Sequence, residues 1–387
     1  MEGKLKKIGI LAFVNKDAGG VYQYTQSLID ALAKDNTNQY VIFIDSNSGN
    51  INSYNLEVRK VNTSRPNTVI RILKAVQLLL LVKSSFLEKV KKSDYNDIDL
   101  FLCPRVIMYT QFFAVKPFIL TLHDLQEYYF PEFFSFQERI VRFVTTRFLS
   151  RKAQKIICES NYVKNDIKKF LKIEDKKIVV LPAPPPANVM NIQITEVQKL
   201  TVKQKYNLPD KYIFYPAAFW QHKNHIKLVE AFKILTEKHH DLHLVLSGSK
   251  QKNYSAVINK IDELNLKDKV LFPGYVDYED LPYLYVLSQM LVMPSLFESI
   301  SIPIFEAFAL KVPVCVSNIL AIPEQVGDAA LMFNPEDEKD MARRIDILLC
   351  DDKFRHDIGL KGYNRLKQFS HEDYKKKIEE VINYSKT

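Results

Sequence analysis

The strongest constraint on the fold is an alternation of apolar, strand-like runs with amphipathic helical segments, and it occurs twice. The first series of runs is KIGILAFV, YVIFID, DLFLCP, FILTLHD, KIICES and KIVVLP, and the second is YIFYPA, LHLVLSG, VLFPGY, MLVMPS, VPVCVS and ALMFN. The proline-rich stretch PAPPPANVMN, residues 182–191, separates the two series. This alternation is typical of βα units, so the sequence predicts two successive parallel α/β domains joined by a linker.

The chain is long enough for two separate cores, because it has 387 residues of which 47% are hydrophobic. We predict a first domain over 1–190, a second over 191–365 and a polar-faced C-terminal helix within 366–387. Open α/β sheets bind ligands beyond the carboxyl ends of their strands. We therefore expect the functional residues at those ends, with the two domains facing a central cleft.

Cysteine content and the first residues indicate the compartment. The four cysteines lie far apart and lack metal-binding spacing, which indicates a reducing compartment and favours neither disulfides nor a metal site. The start MEGKLKKIGILAFVN leads directly into a strand without a cleavage site, so we expect a cytoplasmic protein. The most apolar stretch, AVQLLLLV at 75–82, is far shorter than the roughly 20 residues that span a bilayer.

The charge is uneven along the chain. Residues 1–195 hold 28 Lys and Arg against 18 Asp and Glu, whereas residues 196–387 hold 26 against 27. A basic half is compatible with nucleic acid, anionic lipid or phosphorylated substrates, but no nucleic-acid-binding module is present and we expect no nucleic-acid partner. Residues 71–92 are apolar with lysines at both ends, which is typical of a core helix with snorkelling lysines or of a peripheral membrane interface.

The stretch PSLFESISIPIFEAFALKVPV, residues 294–314, combines two glutamates with a helix start. Pro303 fits the first turn of a helix, which places Glu306 near the start and Glu298 in the loop before it. Unpaired helix N–H groups and two carboxylates would then share one region suited to an anion that carries hydroxyl groups. The alternative is structural, because a carboxylate in a first helical turn stabilises by about 0.3–1 kcal/mol without any ligand.

Two junctions of the first domain carry further candidates. Gly19 and Gly20 in NKDAGGVYQYTQ allow a close backbone approach to a ligand or simply form a tight turn. His123 and Asp124 in TLHDL follow a strand and are expected at its carboxyl end. A histidine there is either structural or functional, and both interpretations remain open.

The second domain opens with FWQHKNHIKLVEAF. Lys223 precedes a predicted helix start, where a cation is unfavourable unless an anion such as phosphate binds or water solvates it. Three polar neighbours, His222, Asn224 and His225, favour the ligand. The backbone at Tyr275 and Val276, after a glycine in LFPGYVDYEDLPYLY, presents an edge suited to a flat base.

In this order the motifs resemble the retaining glycosyltransferases of family 4, which have the two-domain GT-B fold. The resemblance is carried by the glutamates of ESISIPIFE, by GYVDYEDLPYLY and by IPEQVGDAALMFNP, and in the first domain by AGGVYQYTQSLIDAL, TLHDLQEYYFPEFF and ESNYVKNDI. It extends over nearly the whole chain. It implies an α/β protein with two Rossmann-like domains and a C-terminal helix that returns to the first one.

The resemblance also implies roles for single residues. Glu298 would bind hydroxyls of a donor sugar, Glu306 the ribose hydroxyls of a nucleotide, and Lys223 the charge that grows on the leaving diphosphate. His123 would contact the sugar, and Asp124 would lie on the acceptor side. The backbone N–H groups expected to face the diphosphate or sugar are those of Ser299, Ile300, Ser301 and Ile302.

The implied reaction is transfer of a hexose from a nucleoside diphosphate sugar to a glycan or polyprenyl-linked acceptor, with retention and without a cofactor or metal ion. Family members that read FWxHKNH, as this chain does, favour GDP-mannose as the donor. A UDP-sugar is the alternative donor. Contact with an anionic membrane through the basic first half would bring the enzyme to a lipid-linked acceptor. An epimerase of the same fold and a non-catalytic nucleotide-sugar-binding module are the alternative functions.

The chain departs from the family pattern at two places. The family usually has an arginine about five residues before its phosphate-binding lysine, and Ala218 stands there. Lys250 in LSGSKQ is the candidate that would compensate for the missing charge. Ser299 and Ser301 replace the glycines that commonly follow the first glutamate, so the backbone there carries Cβ atoms.

Overall fold

A computed structural model describes residues 5–15, 19–33, 35, 37–46, 48–49, 51–61, 94–107, 110, 116–185, 187–190, 192–274 and 276–385. Helices and strands are numbered in chain order within these ranges. The amphipathic stretch 71–92 and Tyr275 lie outside them. The chain divides into two compact units, unit 1 with Met1–Pro184 and His371–Thr387, and unit 2 with Pro185–Ser370.

Unit 1 contains a seven-stranded sheet in which every pair of neighbours is parallel. Its spatial order is β3-β2-β1-β4-β5-β6-β7. The strands are β1 (Lys7–Leu11), β2 (Gln39–Ile44), β3 (Glu57–Lys60), β4 (Leu100–Cys103), β5 (Phe118–Thr121), β6 (Lys155–Cys158) and β7 (Ile178–Val180).

Helices cover this sheet, and the C-terminal segment supplies one of them. The described helices of unit 1 are α1 (Gly20–Leu32), α2 (Phe136–Lys152), α3 (Asn161–Asp166), which continues as a π-helix (Ile167–Leu171), and α13 (His371–Tyr384), with 3₁₀ turns at Gln126–Tyr128, Pro131–Phe133 and Asp175–Lys177. In α13, Tyr374 and Ile378 are buried in one apolar cluster with Ile8 and Leu28. The end of the chain therefore contributes to the core of unit 1.

Unit 2 contains a six-stranded parallel sheet of order β10-β9-β8-β11-β12-β13. Its strands are β8 (Tyr212–Pro216), β9 (His243–Ser247), β10 (Val270–Gly274), β11 (Met290–Met293), β12 (Val314–Ser317) and β13 (Leu331–Phe333).

The helices of unit 2 connect these strands. They are α4 (Ala187–Met190), α5 (Glu196–Lys205), α6 (His225–Thr236), α7 (Tyr254–Glu263), α8 (Leu281–Leu287), α9 (Ile302–Ala309), α10 (Ile322–Val326), α11 (Glu338–Cys350) and α12 (Asp352–Leu366), with 3₁₀ turns at Gln221–Lys223 and Lys267–Lys269. Within the described ranges, no helix is both long enough and apolar enough to cross a bilayer.

The central strands are continuous apolar runs because helices cover both faces of a parallel sheet. All residues of β4, β11 and β12 are buried. The predicted α/β architecture with two parallel sheets is confirmed, and each of the twelve predicted runs contains an observed strand. The strand β3, with the sequence EVRK, was not predicted, because an exposed edge strand has no apolar run.

Candidate active site

In unit 2, Lys223 and Glu298 form an ion pair at the carboxyl ends of two neighbouring strands. Lys223 closes the 3₁₀ turn after β8, and Glu298 lies in the loop after β11, which pairs with β8. The Lys223 Nζ donates to Glu298 Oε1 at 2.5 Å. The Glu298 side chain is 10% exposed and that of Lys223 is 23% exposed. The pair is therefore largely withdrawn from solvent, which strengthens its attraction.

The two loops that carry this pair are joined by further hydrogen bonds. The Leu296 N–H donates to the His222 carbonyl at 2.8 Å. The Asn224 side-chain amide donates to the Pro294 carbonyl at 3.0 Å and to the Pro335 carbonyl at 2.9 Å. Asn224 adopts a left-handed conformation with φ of 58°, which asparagine tolerates better than most residues. Lys223 is thus held by its backbone as well as by its side chain.

A buried tyrosine supports the same junction. The Tyr215 hydroxyl donates to the Lys223 carbonyl at 3.0 Å and lies 3.0 Å from Ser295 Oγ. Because the carbonyl only accepts, the single Tyr215 proton goes to it, and the Ser295 hydroxyl donates to the tyrosine oxygen. Burial and then the charge of Glu298 raise the Tyr215 pKa well above its usual value, so Tyr215 stays a neutral donor.

Glu306 lies in α9, whose first turn contains Pro303 as the sequence predicts. It is 2% exposed, and the Tyr285 hydroxyl from α8 donates to its Oε2 at 2.6 Å. Burial and the nearby Glu306 charge raise the Tyr285 pKa well above its usual value. The carboxylate is therefore oriented by a donor that remains protonated.

The loop between the two glutamates is fixed at Ser301. Its N–H donates to Gln325 Oε1 at 2.9 Å, and its carbonyl accepts from Gln325 Nε2 at 2.7 Å. Of the four amides expected to face a diphosphate or sugar, the Ser301 amide is therefore already bonded within the protein. Ser299 and Ile300 are half-buried, and Ile302 is buried.

The other donor-side candidates of unit 2 lie after β9 and β10. Gly274 is exposed with φ of 76°, and Val276 is buried. Lys250 is exposed, with its ammonium 4.8 Å from the centre of the Tyr254 ring. That contact is a cation–π interaction, so the candidate substitute for the missing arginine rests on an aromatic ring in this structure.

One of the three polar neighbours that favoured a ligand at Lys223 has a structural role. His225 is completely buried and stacks on Phe219 with ring centres 4.4 Å apart. Burial, together with the charges of Lys223 and His222, lowers the His225 pKa to about 3. His225 is a neutral core residue of α6.

In unit 1, His123 is bonded at both ring nitrogens. Its Nδ1 lies 2.7 Å from Glu159 Oε2, and its Nε2 lies 2.8 Å from the Pro104 carbonyl oxygen. Burial lowers the His123 pKa, but the charge and hydrogen bond of Glu159 and the Pro104 carbonyl outweigh it, and the net pKa is raised. A ring that donates from both nitrogens is an imidazolium, so this geometry favours a charged His123.

Residues of α1 and β5 fix the position of this histidine. The Tyr24 ring meets the His123 ring edge-on at 4.7 Å, and the Tyr24 hydroxyl lies 3.0 Å from Thr121 Oγ1. Gly19, with φ of 55°, directly precedes α1, which begins at Gly20. The predicted glycine junction therefore positions Tyr24 beside His123.

Asp124 follows His123 and lies two residues before the 3₁₀ turn at Gln126–Tyr128. Its Oδ1 accepts from the Gln126 N–H at 3.2 Å and from Arg142 Nη2 at 3.5 Å. Arg142 also donates to Glu127 Oε2 at 2.8 Å. Asp124 is half-buried and forms an ionic cluster with Arg142 of α2 and Glu127.

Sequence reasoning missed five residues that hold the candidates in place: Tyr24, Glu159, Tyr215, Tyr285 and Gln325. One of them was recognisable. Glu159 follows β6 in KIICES, and β6 pairs with β5, which precedes His123. Since carboxyl ends of adjacent parallel strands meet at one edge, this topology places the two side chains near each other.

Among the described residues, one group of potential metal ligands comes together, formed by His239, Asp346 and Cys350 in unit 2. The His239 Nε2 lies 2.6 Å from Asp346 Oδ1. The Lys238 Nζ donates to Asp346 Oδ2 at 2.7 Å and to Cys350 Sγ at 3.3 Å. A protein cation therefore already neutralises this group.

Comparison with known proteins gives the class. The family model "Glycosyltransferase Family 4" matches residues 18–184, and "Glycosyl transferases group 1" matches residues 197–365. The two matches follow one another and together cover most of the chain. The chain belongs to the family 4, group 1 glycosyltransferases, and it is an enzyme of the hexosyltransferase type.

Two curated relatives are O-antigen enzymes. The O-antigen chain mannosyltransferase B of Escherichia coli is 29% identical over 258 residues, which are 66% of this chain and 67% of that protein. The O-antigen chain mannosyltransferase RfbU of Salmonella typhimurium is 30% identical over 220 residues, 57% of each protein. The chain therefore matches only part of the length of each relative.

Solved structures share the fold along the whole chain. A glycosyltransferase from Rickettsia africae aligns with a TM-score of 0.74 and 18% identity over 99% of both chains. HepE from Anabaena, in complex with UDP and glucose, aligns with a TM-score of 0.77 and 16% identity over 98% of this chain and all of the other. The fold is GT-B, as the sequence predicts.

Proposed function

We propose that this enzyme transfers a hexose, with mannose favoured, from a nucleoside diphosphate sugar to a hydroxyl of a glycan or polyprenyl-linked acceptor, with retention. Polysaccharide or glycolipid biosynthesis would use this reaction. The two O-antigen mannosyltransferase relatives support the choice of sugar, and HepE in complex with UDP and glucose supports a nucleotide-sugar donor. GDP-mannose is the favoured donor and a UDP-sugar is the alternative.

The observation that carries the proposal is the Lys223–Glu298 pair. Without a ligand, the ammonium and carboxylate neutralise one another at 2.5 Å. A donor diphosphate would attract the Lys223 ammonium, and the sugar hydroxyls would donate to the released Glu298 carboxylate. Because negative charge on the diphosphate grows as the sugar leaves, the ammonium stabilises the transition state more than the bound donor.

The nucleotide would be held by Glu306 and by the backbone before α9. The Glu306 carboxylate would accept hydrogen bonds from both ribose hydroxyls, while its Oε2 also accepts from the Tyr285 hydroxyl. The Ser299 and Ile300 amides and the N-terminus of α9 would face the diphosphate. Our proposal assigns no metal ion or cofactor to this site, since Lys223 supplies positive charge.

In unit 1, we assign the contact with the transferred sugar to His123. Both of its nitrogens lie at hydrogen-bond distance from an acceptor within the protein, so a sugar hydroxyl would replace the Pro104 carbonyl as the acceptor for Nε2–H. Asp124 lies on the acceptor side in this proposal. The basic N-terminal half would bring the enzyme to an anionic membrane and a lipid-linked acceptor.

The test is a thermal-shift and hydrolysis panel of nucleoside diphosphate sugars on the wild type, Glu306→Ala and Glu306→Gln. Glu338→Ala is the matched control, because Glu338 is a partly exposed glutamate of the same unit that pairs with Lys227. We expect one donor to stabilise the wild type and the control but neither Glu306 variant. If no nucleotide or nucleotide sugar binds even at millimolar concentration, the transferase proposal fails.

Analysis of the product separates the alternatives. A transferase releases a nucleoside diphosphate, and NMR of the glycoside formed would show that the anomeric configuration is retained. An epimerase would convert the donor without an acceptor hydroxyl, and a non-catalytic module would bind the donor without turnover. Either of the last two results would replace the proposed function.

A further inference from the structure

The helix α2 of unit 1 presents an unusual outer face. Phe136 is 74% exposed, Ile140 is 41% exposed and Phe143 is 42% exposed. Positions 136, 140 and 143 follow the i, i+4, i+7 spacing of one helical stripe. Single exposed apolar residues are ordinary, but three on one stripe form a patch of the kind that marks an interaction site.

The exposure does not result from a loosely formed helix end. The Ser135 side chain accepts from the Glu138 N–H at 3.3 Å, and Glu138 Oε2 accepts from the Ser135 N–H at 2.9 Å, which together form a capping box. Further along, Leu149 is completely buried in the core of unit 1. The helix is therefore anchored at both ends while its stripe faces outward.

The helix that carries the apolar stripe is also rich in basic residues. The helix carries Arg139, Arg142, Arg147, Arg151 and Lys152, against a single acidic residue, Glu138. Within the described part of the chain, neither Arg139 nor Arg151 forms an ion pair, and both are exposed. The Arg147 guanidinium lies 4.3 Å from the centre of the Phe143 ring, so charge and apolar surface are adjacent on one face.

We propose that this α2 face, formed by Phe136, Ile140 and Phe143 with Arg139 and Arg151 beside them, binds the surface of an anionic lipid bilayer. Aromatic and aliphatic side chains enter the boundary between headgroups and acyl chains, while arginines pair with lipid phosphates. Each basic residue near an anionic membrane adds to the electrostatic attraction. The combination of apolar stripe and net positive charge matches a bilayer better than a protein surface, which would need its own complementary groove.

The segment that precedes α2 contains three further phenylalanines, Phe130, Phe133 and Phe134. The Phe130 and Phe133 rings stack at 5.0 Å with an angle of 3° between their planes. The Arg142 guanidinium lies 4.7 Å from the Phe134 ring centre and also contacts Asp124. Arg142 therefore links the helix α2 to the Asp124 junction, which we assign to the acceptor side. Membrane contact through α2 would bring that junction close to a lipid-linked acceptor.

This inference rests on the proposed function only where it assigns the membrane contact the role of reaching a lipid-linked acceptor. Flotation with phosphatidylcholine vesicles, with and without phosphatidylglycerol, measures binding in the absence of any donor. We expect binding at low salt that requires phosphatidylglycerol. Binding should weaken about tenfold or more in the triple variant Phe136→Ser, Ile140→Ser, Phe143→Ser, since the apolar stripe supplies the burial.

Two further variants keep the test interpretable. Val197→Ser with Leu200→Ser removes two apolar side chains of α5 in unit 2 that are 74% and 59% exposed, and this matched control should bind like the wild type. The double variant Arg139→Ser, Arg151→Ser should bind more weakly than the wild type to the vesicles that contain phosphatidylglycerol. Circular dichroism must show native helix content in every variant.

Four results would overturn the proposal. Unchanged binding of the triple variant would remove the α2 face from the contact, and absence of wild-type binding at low salt would remove the bilayer itself. Equal loss in the Val197, Leu200 control would show nonspecific adhesion. If sedimentation velocity showed that the triple variant loses self-association instead, the face would bind a second copy of the chain. Donor-induced thermal stabilisation is measured separately, so a failed transferase proposal leaves the vesicle result unaffected.

Discussion

Replacing Glu159 by Gln should change the protonation of His123, and the structure gives the size of the effect. The Glu159 oxygen and His123 Nδ1 are 2.7 Å apart, and the two side chains are 4% and 15% exposed. An opposite charge at such range favours the charged form of a histidine and raises its pKa. Glutamine keeps the shape and a hydrogen bond but removes the charge, so we expect the His123 pKa to fall.

The sign of the pH dependence follows from this shift. In the wild type the folded-state pKa of His123 lies above its unfolded value, so its stabilisation is complete below the unfolded pKa and is lost as pH rises through the folded pKa. Glu159→Gln removes this contribution, and the remaining burial favours neutral His123. A hydrogen bond to a charged group contributes about 1.5–3 kcal/mol, so the variant should lose about that much stability near pH 5 and less near pH 9.

NMR titration of the histidine Cε1–H signals measures the pKa directly, and His123→Gln identifies the signal. Thermal unfolding across the pH series measures the stability. It is followed by circular dichroism instead of fluorescence, because the only tryptophan, Trp220, lies in unit 2, whereas His123 lies in unit 1. Glu338→Gln is the control for loss of an exposed carboxylate. A His123 pKa that is the same in wild type and Glu159→Gln would refute the assigned ion pair.

Three other contacts give separate predictions. Tyr285→Phe removes a donor from a buried carboxylate at 2.6 Å, so urea unfolding should show a loss of about 1.5–3 kcal/mol, and unchanged stability would contradict the contact. Lys223→Met and Glu298→Gln, alone and combined, should show a coupling free energy of about 0.5–3 kcal/mol in a double-mutant cycle, whereas additive losses would argue against the pair. Gln325→Leu breaks both bonds to Ser301 and should destabilise by about 2 kcal/mol or more, and unchanged stability in the same assay would contradict both contacts.

The sheets were predictable because burial on both faces makes most strands apolar throughout. Strands such as β11, with the sequence MLVM, need no partner to be recognised. The edge strand β3 has no such signal, and Arg59 attaches it through Asp97 instead. An ion pair between residues 38 positions apart is a property of the folded chain, and no local pattern indicates it.

The candidate site residues were predictable because they follow strands, whereas the residues that form hydrogen bonds with them were not. Strand ends are visible in the sequence, and chemistry at those ends follows from the topology of parallel sheets. The contact of Gln325 with Ser301 depends on how α10 packs against the loop after β11, which hydropathy does not encode. His225 is the converse case. The sequence groups it with the polar neighbours of Lys223, but the fold buries its side chain completely.

Both units hold a basic group against a carboxylate at the carboxyl end of a strand, namely Lys223 with Glu298 and His123 with Glu159. A ligand must therefore exchange partners with these groups instead of meeting a free charge. Inorganic diphosphate can take the Lys223 ammonium, but it leaves the nearly buried Glu298 without a donor, which costs free energy. A nucleoside diphosphate sugar supplies the anion and the hydroxyl donors together. The ion pair should thus discriminate against bare anions, and a donor that binds no more tightly than inorganic diphosphate would show that Glu298 makes no contact with the sugar.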